Sequence, residues 1–69
     1  MLEMATTGEK LNRLRRSNGM TQAELSQASG VAQSTITHIE SGKHERPHPG
    51  TLRKLAGALG VEIADLLED

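Results

Sequence analysis

Four uncharged side chains, Gln33, Ser34, Thr37 and His38, recur at helical spacing within GVAQSTITHIESG, residues 30–42. Each can donate or accept a hydrogen bond, and no Lys, Arg, Asp or Glu stands among residues 33–38. The intervening Ile36 and Ile39, with Val31 just ahead, have the spacing of one buried helical stripe. An ordinary solvent face is salted with charge. A face kept neutral and hydrogen-bonding suits a surface that lies against something polar and discriminates among its groups. Other chemistry is poorly supplied. There is no cysteine, no glycine-rich phosphate loop, and no Ser, His and acid in a nucleophile setting, so the chain is not expected to be an enzyme. His38, His44 and His48 lack a carboxylate or thiolate at a familiar metal-ligand spacing, and His48 stands between two prolines. No metal and no other cofactor is expected. The methionines at 1, 4 and 20 read as packing or tail.

The elements that must position this face are those of one small domain. A chain of 69 residues buries only roughly 60% of the surface its unfolded form exposes, so its stability margin is small. Without cysteine, neither a disulfide nor a thiolate metal site can staple it, and an intracellular, cytoplasmic setting is expected. The core contains no aromatic residue and must be built from Leu, Ile, Val, Met and Ala, which favours close helix packing over a sheet. No apolar run approaches the roughly 20 residues of a membrane span, and residues 1–10 lack the apolar centre of a secretion signal. The net charge of −1 hides an asymmetry. Four acids, Glu62, Asp65, Glu68 and Asp69, fall in the last eight residues, leaving eight bases against five acids over residues 1–61. The bases cluster at residues 10–16, 43–46 and 53–54, so a locally basic surface is available.

Along the chain, Leu11 and Leu14, surrounded by Lys10, Arg13, Arg15 and Arg16, predict a first amphipathic helix over about residues 7–18, ended by Gly19. TQAE at residues 21–24 fits a capping box that opens a second helix burying Leu25, with help from Ala23 or Ala28, and running to about Ala28. Gly30 marks a tight turn suited to positive φ, and a third helix follows from about Gln33 to an αL cap at Gly42. Ala32 is a poor N-cap for it. HERPHPG, residues 44–50, is a loop. Leu52, Leu55, Ala56 and Leu59 mark a fourth helix stopped by Gly60, and Ile63, Leu66 and Leu67 a short fifth over about residues 62–67. The expected architecture is all-α, a compact five-helix bundle in one domain over residues 1–69, with residues 1–6 as an N-terminal tail.

Two helices joined by a glycine-containing turn, the second neutral on its exposed face, form a helix-turn-helix unit. LRRSNGMTQAELSQASGVAQSTITHIESGK, the RP after it, and LRKLAGALGV followed by LL together resemble the Cro/C1-type (XRE) helix-turn-helix domains of phage repressors and bacterial regulators, over nearly the whole chain. The resemblance implies a lambda repressor-like fold and sequence-specific binding of double-stranded DNA. It sets Gln33, Ser34, Thr37 and His38 on recognition-helix positions that face the major groove, where Gln can pair with adenine N6/N7, Ser or Thr with several base edges, and the Thr methyl can touch the thymine C5-methyl. It sets Gln22, at the start of the second helix, against a phosphate. Lys43, His44 and Arg46 take the positions of backbone phosphate contacts, with Arg13 and Arg16 adding to them. Arg15 and Glu40 take those of an internal ion pair tying the first helix to the third. The chain departs from the usual family pattern at Ser26, Ala32 and His38, which leaves the base preference open.

A single recognition helix covers only a few base pairs, so the implied form is a homodimer on a pseudo-palindrome, its recognition helices about 34 Å apart in successive major grooves. Ile63, Leu66 and Leu67, helped by residues 1–4, are the expected self-association surface. The implied role is a transcriptional regulator, a repressor in the first instance. The negative net charge and acidic end also suit a second role for the same fold, a protein-interaction module such as a coactivator-like adaptor or an antitoxin component. No small-molecule ligand or membrane partner is expected.

Overall fold

Two threonines open the first two helices in the same way. Thr6 accepts from the Glu9 N–H at 3.1 Å while the Glu9 carboxylate accepts from the Thr6 N–H at 3.0 Å. Thr21 and Glu24 repeat the exchange at 3.1 and 2.8 Å. Each box satisfies two of the amides that a helix start leaves without partners. The resulting helices, in a computed structural model that describes residues 5–44 and 46–67, are α1 (Thr7–Ser17) and α2 (Gln22–Ser29). α3 (Gln33–Ser41) and α4 (Pro49–Leu59) follow, and a 3₁₀ turn spans Ile63–Leu66. The tail expected over residues 1–6 lies outside the described residues for 1–4, and Thr6 belongs to α1 as its cap. The expected ends of α1 and α2 differ from those observed by one residue each. Among the described residues there is no strand.

Where five helices were expected, four are α-helices and the fifth is a single 3₁₀ turn. Its tighter repeat brings residues three apart onto one side, which sets the half-buried Ile63 with the fully buried Leu66. The turn is opened by Asp65, whose carboxylate accepts from the Glu62 N–H at 2.9 Å. Lys10 of α1 donates to the Leu67 carbonyl at 2.5 Å and ties the residue after the turn to α1.

The core draws on every element, with four side chains, Leu52, Leu55, Ala56 and Leu59, from α4 and only Leu25 from α2, whose Ala23 and Ala28 are exposed instead of helping to bury it. Leu11, Leu25, Ile36, Ile39, Leu55 and Leu66 are essentially unexposed, and burying each stabilises by about 1.5–3 kcal/mol. α1 packs on α3, α2 on both α3 and α4, and the 3₁₀ turn on α4 and α1. α3 is thus held from two sides. Pro47, in the loop before α4, is buried as well, so that loop is anchored at its middle, and His48 caps α4 by accepting from the Gly50 N–H through Nδ1 at 3.0 Å.

The turn between α2 and α3 is residues 30–32. Gly30 has φ +76°, a conformation that costs a side chain about 1–2 kcal/mol. The Ser26 hydroxyl donates to the Val31 carbonyl at 2.6 Å and the Ser29 hydroxyl accepts from the Val31 N–H at 3.1 Å. Ser26, a departure from the usual family pattern, therefore serves to pin the turn. Ala32 is the N-cap of α3 and makes no side-chain cap. Its ψ of 139° is already that of a capping residue, so Ala32→Ser is expected to raise stability by about 1 kcal/mol, measured as a higher urea midpoint with unchanged slope. A lowered midpoint would mean that the hydroxyl finds no α3 amide.

Candidate functional site

α3 has two unlike sides. Ile36 and Ile39 are buried, while Gln33, Ser34, Thr37 and His38 are all exposed on the other side. Among the described residues, no side-chain hydrogen bond holds Gln33, Ser34 or His38, so these three are free to meet an outside partner. Thr37 differs. Its hydroxyl has one proton and two inward acceptors within reach, Gln22 Oε1 at 2.8 Å and, in its own helix, the Gln33 carbonyl at 3.0 Å.

Beneath that face lies a polar brace. The Glu40 carboxylate accepts Arg15 Nε at 2.7 Å, Arg15 Nη2 at 3.0 Å, Asn12 Nδ2 at 2.9 Å and Gln22 Nε2 at 3.1 Å. Arg15 also donates through Nη1 to the Met20 carbonyl at 2.7 Å. The two charged side chains are only 12% and 6% exposed, and no buried side-chain polar atom among the described residues is left without a partner. Burial pushes the Glu40 carboxyl up, but the hydrogen bonds from Arg15, Asn12 and Gln22, with the Arg15 charge, outweigh it and hold the group below its ordinary value. The hydrogen bond to Glu40 raises Arg15 in turn. A fork-on-carboxylate pair of this geometry fixes orientation. Here it ties α1, the start of α2 and α3 into one unit.

The Arg15–Glu40 pair expected from the resemblance is therefore present, and it has two further members. Asn12 was not singled out by the sequence reading, although it lies one helical turn before Arg15 and so on the same face of α1. Gln22, expected against a phosphate, has its side-chain amide engaged between Glu40 and Thr37. Gly8 was also missed. A Cβ built there would overlap the Ile39 carbonyl oxygen and stand 3.3 Å from the Glu40 Cα, so glycine is what lets α1 approach the backbone of α3.

The basic residues lie around this unit. Lys43, His44 and Arg46 are exposed in the segment after α3, where the His44 N–H donates to the His38 carbonyl at 3.1 Å. Arg13 and Arg16 are exposed on α1 and border an open depression with Glu9, Asn12, Ser17 and Glu40. Glu9 is held below the ordinary carboxylate value by the Thr6 backbone amide first, then the Thr6 hydroxyl and the Arg13 charge. Arg13 thus faces acid as well as solvent.

The expected self-association residues separate, and residues 1–4, expected to help them, lie outside the described residues. Leu66 is fully buried in the chain's own core and presents nothing to a second copy, because the 3₁₀ turn directs it inward. Ile63 is half-buried, and Leu67 is 46% exposed. Glu68 and Asp69 of the acidic end lie outside the described residues, as does Glu45. Among the described residues no group of three His, Cys, Asp or Glu side chains is placed to hold a metal ion, and no helix is long and apolar enough to cross a membrane.

Comparison with known proteins agrees with this arrangement. The family model described as "Helix-turn-helix" matches residues 11–66. The HTH-type transcriptional repressor RghR of Bacillus subtilis (strain 168) is 39% identical over 64 residues, 93% of this chain and 47% of that protein. The chain spans about half the length of the first curated relatives it matches. Among solved structures, the restriction-modification controller protein C.AhdI from Aeromonas hydrophila superposes with a TM-score of 0.82 at 31% identity, covering 88% of this chain and 91% of that one. The N-terminal DNA-binding domain of the biofilm regulator SinR from Bacillus subtilis superposes with a TM-score of 0.81 at 29% identity, covering 90% of each.

Proposed function

The chain belongs to the helix-turn-helix family of Cro/C1 (XRE) type, and on that premise we propose that it is a sequence-specific regulator of transcription, a repressor, that binds double-stranded DNA as a dimer. The observation that carries this reading is the neutral, exposed face of α3 standing on a braced and oriented helix pair. A charged face would grip any duplex through its phosphates, whereas a neutral one gains affinity only from matching base edges. Gln33 pairs with adenine, while Ser34, Thr37 and His38 meet neighbouring edges.

Grip comes from the surroundings. Lys43, His44 and Arg46 contact phosphates, with Arg16 and Arg13 at the margin. At the start of α2 the phosphate is met by the backbone N–H groups of Gln22 and Ala23, which have no acceptor within the helix, because the Gln22 side chain is already engaged. Two copies meet through Ile63 and Leu67, bringing two α3 helices to successive major grooves of cytoplasmic DNA. No catalysis is part of this role.

Enrichment of duplexes from a random pool tests it, run for the wild type beside Gln33→Ala at about 150 mM salt, where non-specific binding is weak. The expected result is a two-fold symmetric motif in which the variant loses preference at one position per half-site, a change of about 1–3 kcal/mol. No enriched motif, with a shallow dependence of binding on salt, would sink the proposal and turn the search to a protein partner.

A further inference from the structure

We propose that Thr37 is a specificity-determining residue whose hydroxyl serves only as a hydrogen-bond acceptor, so that it selects the exocyclic amino group of adenine or cytosine on the base edge it meets. The proposal rests on the DNA-reading role of α3 given above and concerns which bases that role favours.

The polarity of the brace leads to this result one atom at a time. A carboxylate has no proton to give, so the Gln22 atom 3.1 Å from Glu40 is Nε2. The amide is planar and its other end is an oxygen. That oxygen, Oε1, lies 2.8 Å from the Thr37 hydroxyl and can only accept. Thr37 must therefore give up its single hydrogen inward. Its other short contact, the Gln33 carbonyl at 3.0 Å, is again an acceptor. Both inward neighbours compete for one proton and none is left for a partner outside.

The lone pairs remain. Thr37 is exposed on the same face as Gln33, Ser34 and His38, and in the major groove the groups that can give it a proton are adenine N6 and cytosine N4. Against guanine O6 or thymine O4 it would set oxygen on oxygen, unless it withdrew its hydrogen from Gln22 and Gln33 together. A threonine that merely bonds back to the carbonyl four residues earlier faces a weaker constraint. The second tie, through Gln22 to a carboxylate itself held by Arg15 and Asn12, is what distinguishes this residue. Ser34 shows the contrast: its hydroxyl has no partner among the described residues and can present either a proton or a lone pair.

The test selects duplexes with the wild type, Thr37→Val and Thr37→Ser, then titrates the best duplex after the exocyclic amino group at the Thr37-dependent position is replaced by hydrogen. For the wild type, adenine or cytosine is expected at that position, with a loss of about 3- to 10-fold when the amino group is removed. Thr37→Val is expected to be indifferent to that removal and Thr37→Ser to behave as wild type. Gln22→Ala keeps the hydroxyl but releases the lock, and should narrow the preference for adenine and cytosine over guanine and thymine. Guanine or thymine at the position, or an equal loss for the wild type and Thr37→Val at every position, would overturn the inference while leaving the DNA-reading role in place. A wild type that enriches no motif would overturn both.

Discussion

Glu40→Ala is expected to lower the unfolding free energy by about 3–5 kcal/mol, because it leaves Arg15 buried without its counter-charge. The guanidinium keeps its bond to the Met20 carbonyl at 2.7 Å, but Nε and Nη2 lose their acceptor. Asn12 and Gln22 lose theirs at the same stroke. Urea unfolding followed by circular dichroism measures the effect. Arg15→Met together with Glu40→Leu should cost clearly less than the two single changes summed, since neither charge is then stranded. The same group makes stability depend on acid. Its folded-state value lies below the ordinary 4.5, so its contribution is complete above about pH 4.5 and is lost as the pH falls through the folded value. Glu9, also lowered, acts with the same sign. Glu40→Gln should therefore flatten, without abolishing, the fall in stability on acidification. An unchanged slope would show that the brace is not what acid undoes.

Gly8→Ala is expected to cost about 3 kcal/mol, at the upper end of what overpacking brings. The new methyl group would meet the Ile39 carbonyl oxygen and carbon, the latter at 3.2 Å, and these are backbone atoms that cannot swing aside. α1 must then move off α3, stretching the Arg15–Glu40 contact and shifting the face that α3 presents. Binding to an enriched duplex should weaken even under conditions in which the variant remains folded. Gly57→Ala is the matching control. Gly57 is exposed within α4 with nothing within 4 Å of an added Cβ, so alanine there should gain about 0.5–1 kcal/mol. Equal effects at the two glycines would mean that helix propensity, rather than the approach of α1 to α3, governs both.

Much of the fold was legible because its signals are local. A capping box needs only four residues, and Thr21 with Glu24 announced the start of α2 without any knowledge of what packs on it. Apolar spacing placed Ile36 and Ile39 inside, and Gly30 and Gly42 marked ends that the backbone confirms with φ of +76° and +87°. The element after Gly60 was legible in place and misjudged in kind. Three apolar residues at 63, 66 and 67 do not distinguish an α-helix from one tight turn, and that choice made Leu66 a core residue instead of a partner surface. Ser26 and Ala32 were visible as departures from a pattern. The role of Ser26, a bond to the Val31 carbonyl, depends on a turn geometry that composition does not contain.

By itself, the sequence determined the order and approximate ends of the helices, the main buried side chain or chains of each, the family, and the neutral face of α3, because each depends on spacing within a few residues of chain. Tertiary structure alone decided how that face is held. Asn12, Arg15, Gln22, Thr37 and Glu40 become one hydrogen-bonded chain only when α1, α2 and α3 meet, with partners up to 28 positions apart in sequence. Gly8 is necessary only because α1 and α3 come so close. Which end of Gln22 turns toward Thr37 follows from the proton-free carboxylate of Glu40, and no residue's neighbours in sequence carry that information.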